Sequence, residues 1–283
     1  MKEIQELRIQ VTKKNKFPKL YDFDLFDSTE TQLSQEEILA AVKAAADMGT
    51  QEIRLTGGEP LERKDLAELA EKIKAVEGIQ RVSVTTNGIF LAGAAEALKA
   101  AGIDSVDIRL DTFFEEKYIY MTGGGPIDEV MDGMEAALKA EMKPVRVVAT
   151  ILKGLNDEEI LNFGQLALNE PLDVVFLEKP NVEGEKLKDS EKALEFMGME
   201  EIRSKFKGAV KIPSQDPLVD YYKWYEARSR IGFSGIDKGQ EFGVEITAEG
   251  GLKHCLLDKT PKDIRGLLSA GDIAGIRREL EAL

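Results

Sequence analysis

The stretch Ile53-Arg-Leu-Thr-Gly-Gly-Glu-Pro60 combines residues that could hold a small molecule. It reads as a short buried strand that stops in a turn with two glycines, an acid and a proline. Gly57 and Gly58 tolerate positive φ and would let a ligand approach the backbone closely. Glu59 sets a carboxylate acceptor at the C-terminal mouth of a strand, where α/β folds place their ligand sites. A plain strand-to-helix turn would use the same glycines and proline. Other candidates are weaker. Asp22, Asp24 and Asp27, with Glu30 after them, could offer oxygen to a hard cation, but their spacing fits no known metal loop and reads as solvated acids. Tyr221, Tyr222, Trp224 and Tyr225 could stack on a planar ligand, but a cover for the base of the fold is the stronger reading. Cys255 beside His254 could suggest a nucleophile, which would need an electropositive setting of its own.

Composition narrows the classes. The chain has 283 residues with 38 basic and 52 acidic side chains, a net charge of −14. Such a surface repels polyanions, so neither broad nucleic-acid contact nor an anionic membrane is expected. One cysteine and one histidine exclude an intrachain disulfide framework and any all-cysteine or multi-histidine metal site within the chain, and no metal ligand set is assigned. There is no apolar run of signal-peptide or membrane-spanning length, and the expected location is cytoplasmic.

These residues must be positioned by a repeating scaffold. Strands are expected at Leu7–Thr12, Glu52–Thr56, Arg81–Thr86, Ser105–Leu110, Pro144–Leu152 and Asp173–Leu177. Helices are expected at Ser34–Gly49, Lys64–Val76, Ala92–Ala101, Asp128–Met142 and Asn156–Asn169. Ser34 and Glu37 form a capping box, and Asn156 caps the last of these helices. Six strand–helix units with right-handed crossovers predict a parallel sheet curled into a partial (β/α)6 TIM-like barrel over residues 1–182. Strands buried on both faces should be apolar runs, which Arg146 interrupts. Residues 183–283 are expected to form a C-terminal β-hairpin and helix extension packed on the barrel, with a helix at Ser190–Lys207 and hairpin strands at Phe242–Thr247 and Leu252–Leu257.

Taken together, Arg54-Leu-Thr-Gly-Gly-Glu-Pro-Leu61, Thr85-Thr-Asn-Gly88, Asp107-Ile-Arg-Leu-Asp111, Lys153-Gly-Leu-Asn-Asp157, Phe176-Leu-Glu178 and Ile246–Leu256 resemble the radical S-adenosylmethionine enzymes. The likeness is greatest to the GTP 3′,8-cyclases and covers essentially the whole chain. The resemblance implies a cofactor site for S-adenosylmethionine at Gly57, Gly58, Glu59, Pro60, Thr85 and Asn87. Arg109 stands where the family uses a serine; it could clamp the methionine carboxylate or pair with Asp111 or Glu178. Lys14, Arg54 and Arg146 match substrate-side basic positions.

In the family the loop after the first strand carries Cys-x3-Cys-x2-Cys, which holds a [4Fe–4S] cluster. Here those positions are Asn15, Lys19 and Asp22. The expectation is therefore S-adenosylmethionine without an iron–sulfur cluster, and polar sulfonium chemistry, most simply methyl transfer to an unidentified acceptor. Glu178, Asp111 and Tyr21 are the candidate bases or orienters. The alternative expectation is an inactive homologue that acts as a nucleotide-binding regulator or a protein scaffold.

Overall fold

The structure is a computed structural model describing residues 4–20, 32–181, 194–214, 216–236, 243–255 and 258–283. Six parallel strands, β1 (Glu6–Gln10), β2 (Glu52–Thr56), β3 (Arg81–Thr86), β4 (Ser105–Arg109), β5 (Val145–Ala149) and β6 (Asp173–Leu177), lie side by side in chain order. Five helices from the crossovers accompany them: α1 (Gln35–Ala46), α2 (Leu66–Lys74), α3 (Leu91–Ala100), α5 (Ile127–Lys139) and α6 (Ile160–Asn169). α4 (Glu115–Thr122) precedes α5 in the fourth crossover. The curled sheet is a partial TIM-like barrel, as the repeat predicts.

The C-terminal strands extend both edges of this sheet. β9 (Ile231–Ser234) pairs parallel with β6, and β8 (Asp220–Lys223) and β7 (Val210–Lys211) follow it antiparallel. On the other side β10 (Val244–Ile246) pairs parallel with β1, continued by β11 (Gly251–Lys253) and β12 (Lys262–Asp263). α7 (Met199–Ser204) precedes β7, and α8 (Arg265–Ser269) and α9 (Ile273–Glu281) close the chain.

Period-2 alternation divides each central strand between two environments. Leu7, Ile9, Ile53, Leu55, Val82, Val84, Val106, Ile108, Val145, Val147, Val174 and Phe176 belong to the main core. Their alternates, among them Arg8, Gln10, Arg54, Thr56, Thr85, Asp107, Arg109 and Arg146, line a cavity inside the curl. The expectation of apolar runs therefore fails for a physical reason: the inner face is a polar cavity wall. Arg146 follows the pattern.

Some local expectations change. The capping box at Ser34 and Glu37 forms, with Ser34 Oγ accepting from Glu37 N and Ser34 N donating to Glu37. Asn156 makes no side-chain cap. Its Oδ1 accepts from Leu152 N at 2.7 Å, and its Nδ2 donates to the carbonyls of Asp111 and Thr150, so it ties two strand ends together. The helix α4, unanticipated, is positioned by buried Glu159, which accepts from Thr112 Oγ1 and Phe113 N at 2.8 Å each. Three residues of the aromatic run pack onto the fold, while Tyr225 is exposed. Trp224 meets Phe206 edge-on at 5.1 Å, Tyr222 meets Phe233 at 5.2 Å, and Tyr221 is buried beneath Arg230.

Candidate functional site

The C-terminal ends of the strands converge on a cavity of about 870 Å³. Eight cationic and six acidic side chains line it, although the whole chain carries a net charge of −14. The cavity is thus relatively basic within an acidic molecule, a contrast that focuses potential on whatever enters.

The Gly57–Gly58 turn forms one wall. Gly57 has φ +137, and a Cβ there would lie 2.2 Å from the Thr12 carbonyl. A Cβ on Gly58 would lie 2.4 Å from the Lys14 carbonyl. What the glycines admit so closely is the chain's own loop after β1. Gly58 N donates to Thr12 O at 2.8 Å and Glu59 N to Lys14 O at 2.6 Å. The turn therefore builds the cavity by holding that loop against it.

Glu59 does not face the cavity, contrary to the sequence-based expectation. It is fully buried and accepts from Thr86 Oγ1 (2.7 Å), Asn87 N (2.7 Å) and Leu61 N (3.0 Å). Burial without a cation partner pushes its carboxyl up to about 7 against these hydrogen bonds, which favour the charged form. Its role is to fix the end of β3 against the turn. Pro60, also buried, starts a one-turn 3-10 helix and does not line the cavity.

Thr85 and Asn87 do line it. Asn87 Oδ1 accepts from Ile89 N at 3.0 Å, which leaves Nδ2 sealed from solvent and without a hydrogen-bond partner. Thr85 Oγ1 and Arg8 Nε are in the same condition. All three belong to cavity-lining residues. Buried polar atoms are nearly always satisfied, so the two orphans that share the end of β3, Thr85 Oγ1 and Asn87 Nδ2, mark that wall as a candidate ligand site, while Arg8 belongs to the ion network with Glu6.

Lys19 is buried at the same mouth, with Nζ 2.5 Å from Asp111 Oδ2. Asp111 Oδ1 also accepts from Thr150 N at 2.8 Å. Asp111 is therefore committed to an ion pair and a strand end, which is poor preparation for a general base. Glu178 lines the cavity and accepts from Met199 N and Ile236 N at 3.2 and 3.3 Å. Arg109 lines the cavity from the end of β4. Tyr21 lies outside the described residues, as do Asp22, Asp24, Asp27 and Glu30; of the expected Ser190–Lys207 helix only its first four residues do, and the described remainder is helical only at Met199–Ser204. Cys255 is buried away from the cavity lining, and His254 is an exposed partner of Asp258.

Of the substrate-side positions, Lys14 points elsewhere. Its side chain is largely exposed, 3.7 Å from Glu62. Arg54 and Arg146 lie on the inner wall, nearly buried. Arg54 Nε reaches Glu6 at 2.8 Å, and its Nη1 reaches Asp107 Oδ2 at 2.6 Å. Arg146 holds Asp107 through Nε (2.5 Å) and Nη2 (3.1 Å), and Asp216 through Nη1 (2.6 Å). Burial would raise the Glu6 carboxyl, but Arg54 and Arg8 outweigh it and hold the group down to about 2. Sequence reasoning missed Glu6, Asp107 and Asp216. Asp107 stands in the same alternation as Arg109, a signal that could have found it; Asp216 lies in an irregular segment and gave none.

A profile of the Radical SAM superfamily matches residues 21–167. The GTP 3′,8-cyclase of Lactiplantibacillus plantarum is 35% identical over 265 residues, covering 90% of this chain and 78% of that one. The GTP 3′,8-cyclase of Pelotomaculum thermopropionicum is 34% identical over 262 residues, with 89% and 78% covered. The chain belongs to the radical SAM superfamily. Among solved structures, Streptococcus suis SuiB bound to S-adenosylmethionine superposes with a TM-score of 0.69 at 15% identity, covering 96% of this chain and 67% of SuiB, a likeness of fold. These relatives correct the expected reaction. They are radical SAM cyclases, so the reading of a cluster-independent methyltransferase is overturned, and with it the keyword methyltransferase. No described helix of this superfamily member is long and apolar enough to cross a membrane.

Proposed function

We propose that this radical SAM superfamily member is an enzyme that binds S-adenosylmethionine at the mouth of the cavity and a second substrate deeper inside. The Gly57–Gly58 turn, Thr85 and Asn87 form the cofactor wall. The observation that carries the reading is the set of orphaned polar atoms on that wall, Thr85 Oγ1 and Asn87 Nδ2, in a superfamily defined by this cofactor. A nucleoside with an amino-acid tail offers the donors and acceptors these atoms lack. A cavity of about 870 Å³ falls in the range of small-molecule sites, roughly 300–1,000 Å³. The cyclase names of the relatives support an enzyme rather than a passive binder.

The family's iron–sulfur cluster needs several thiolates. This chain has one cysteine, and it does not line the cavity. At this mouth Asn15 donates to Gly58 O at 3.4 Å, and the Lys19 ammonium is paired with Asp111; neither side chain is an iron ligand. The residues present do not fit a cluster held by this chain alone. In this reading the cavity face of the turn and the end of β3 bind and orient the nucleoside, supported by their place in the cavity lining, and buried Lys19–Asp111 ties the loop beside it.

Calorimetric titration of the wild-type protein with S-adenosylmethionine and S-adenosylhomocysteine tests this. One site per chain, with a dissociation constant on the order of micromolar, is expected. Absence of binding by both nucleosides would overturn the proposal.

A further inference from the structure

The inner wall of the cavity carries an ion network of arginines and carboxylates. Arg54 spends all three guanidinium nitrogens on Glu6 and Asp107. Arg146 spends its three on Asp107 and Asp216, with the Tyr221 hydroxyl 3.3 Å from Nη1. Arg8 adds a contact to Glu6 at 3.3 Å. Three guanidinium groups thus face three carboxylates. Asp107 bridges the two central arginines, taking Arg146 in a two-pronged grip. Glu6, Arg54, Asp107 and Arg146 side chains are nearly buried, so solvent screens these pairs little.

Asp216 differs from the other acids. It comes from the segment before β8, where its Oδ1 also accepts from Leu218 N at 2.9 Å, and its side chain is 25% exposed. The neighbouring Leu218 and Val219 pack into the cluster of Val148 and Val175 on the inner strand faces. This packing carries the carboxylate to Arg146 from within the chain. An arginine on a basic cavity wall is a ready phosphate partner, but here its Nη1 is already capped by an anion that belongs to the protein.

We propose that the carboxylates of Asp107 and Asp216 close the inner wall to polyphosphates, with Asp216 as the built-in anion that sets this specificity. The second substrate then meets that wall through uncharged hydrogen-bonding groups. A triphosphate entering there would have to displace Asp216 and face the remaining buried acids. The inference rests on the cavity being the substrate site of the adenosylmethionine-binding enzyme proposed above, and it concerns the ion network around Asp107 and Arg146, not the Asn87 side chain.

The test titrates GTP and inorganic triphosphate into wild-type protein, Asp216→Asn and Arg146→Lys, with S-adenosylmethionine titrated into each as a separate control. The wild type should bind neither polyphosphate below about millimolar concentration. Asp216→Asn should gain affinity for both by at least about tenfold, because one charge-assisted partner of Arg146 becomes available. It should still bind S-adenosylmethionine, since the Asp216 carboxylate is hydrogen-bonded to Arg146 and Leu218 and to neither Thr85 nor Asn87 among the described contacts. Two results would overturn the inference: tight triphosphate binding by the wild type that Arg146→Lys weakens, which needs no variant at Asp216, or no gain in Asp216→Asn while that variant still binds S-adenosylmethionine. Failure of the wild type to bind S-adenosylmethionine would count against the cofactor reading alone, since the polyphosphate arms are read independently.

Discussion

Glu59 shows how a residue can carry a site without touching its ligand. Its three accepted hydrogen bonds join the Gly-Gly turn to the end of β3, so the position of Asn87 depends on it. The folded chain raises this carboxyl from 4.5 to about 7, so it binds its proton more readily folded than unfolded. Its contribution to stability is therefore fully present below about pH 4.5 and lost as pH rises through about 7, a swing on the order of 3 kcal/mol. Melting temperatures measured across pH 4–8 should show that decline in the wild type, and Glu59→Gln, which cannot ionise, should flatten it. A variant whose profile matches the wild type would contradict the assignment. Gly57 makes a second residue-scale prediction. Both its φ of +137 and the 2.2 Å approach to Thr12 O forbid a side chain, so Gly57→Ala should cost about 3 kcal/mol or more in urea unfolding. The sequence marked both residues as important, but it suggested a ligand where the structure places the chain's own loop. Single residues show their type and not the direction they face.

At the scale of elements, regular segments were legible and irregular ones were not. The extents of β2, β3 and β6 follow directly from their apolar and β-branched runs. The capping box at the start of α1 was legible because two side chains at fixed spacing satisfy each other. Ser34→Ala should cost about 1 kcal/mol in unfolding free energy and leave nucleoside affinity unchanged. A large loss of affinity in that variant would show that α1 is coupled to the cavity in a way the structure does not indicate. α4 escaped because Phe114 supplies no side-chain cap and the helix runs only from Glu115 to Thr122 before Gly123 turns left-handed at φ +69. Its start depends on Glu159, far along the chain, a contact that no local pattern encodes. The inner network has the same character. Arg54, Asp107 and Arg146 each sit on inward-facing positions of different strands, so the alternation shows which face they share, while their pairing requires the curled sheet.

At the scale of the molecule, the chain's two ends meet. β10 lies parallel to β1, and Arg265 and Ser269 of α8 donate to Glu37 of α1, the same side chain that completes the capping box. Ile276 and Leu280 of α9 are buried in the main core. Removing residues 262–283 should therefore lower the melting temperature by more than about 10 °C or abolish cooperative unfolding, since it strips apolar cover from α1. The motif order made the superfamily legible across the whole chain. The reaction was not legible, because the empty cysteine positions suggested polar methyl transfer while the relatives are cyclases. The central claim is that the orphaned polar wall at the barrel mouth is an adenosylmethionine site. Its most direct test compares S-adenosylmethionine binding by calorimetry in the wild type and in Asn87→Leu, which keeps the side-chain size but removes the unpaired donor together with the Oδ1 that accepts from Ile89 N. The account predicts a single site in the wild type, weakened at least about tenfold in Asn87→Leu. Equal affinity in the two proteins, or no binding by the wild type, would contradict it.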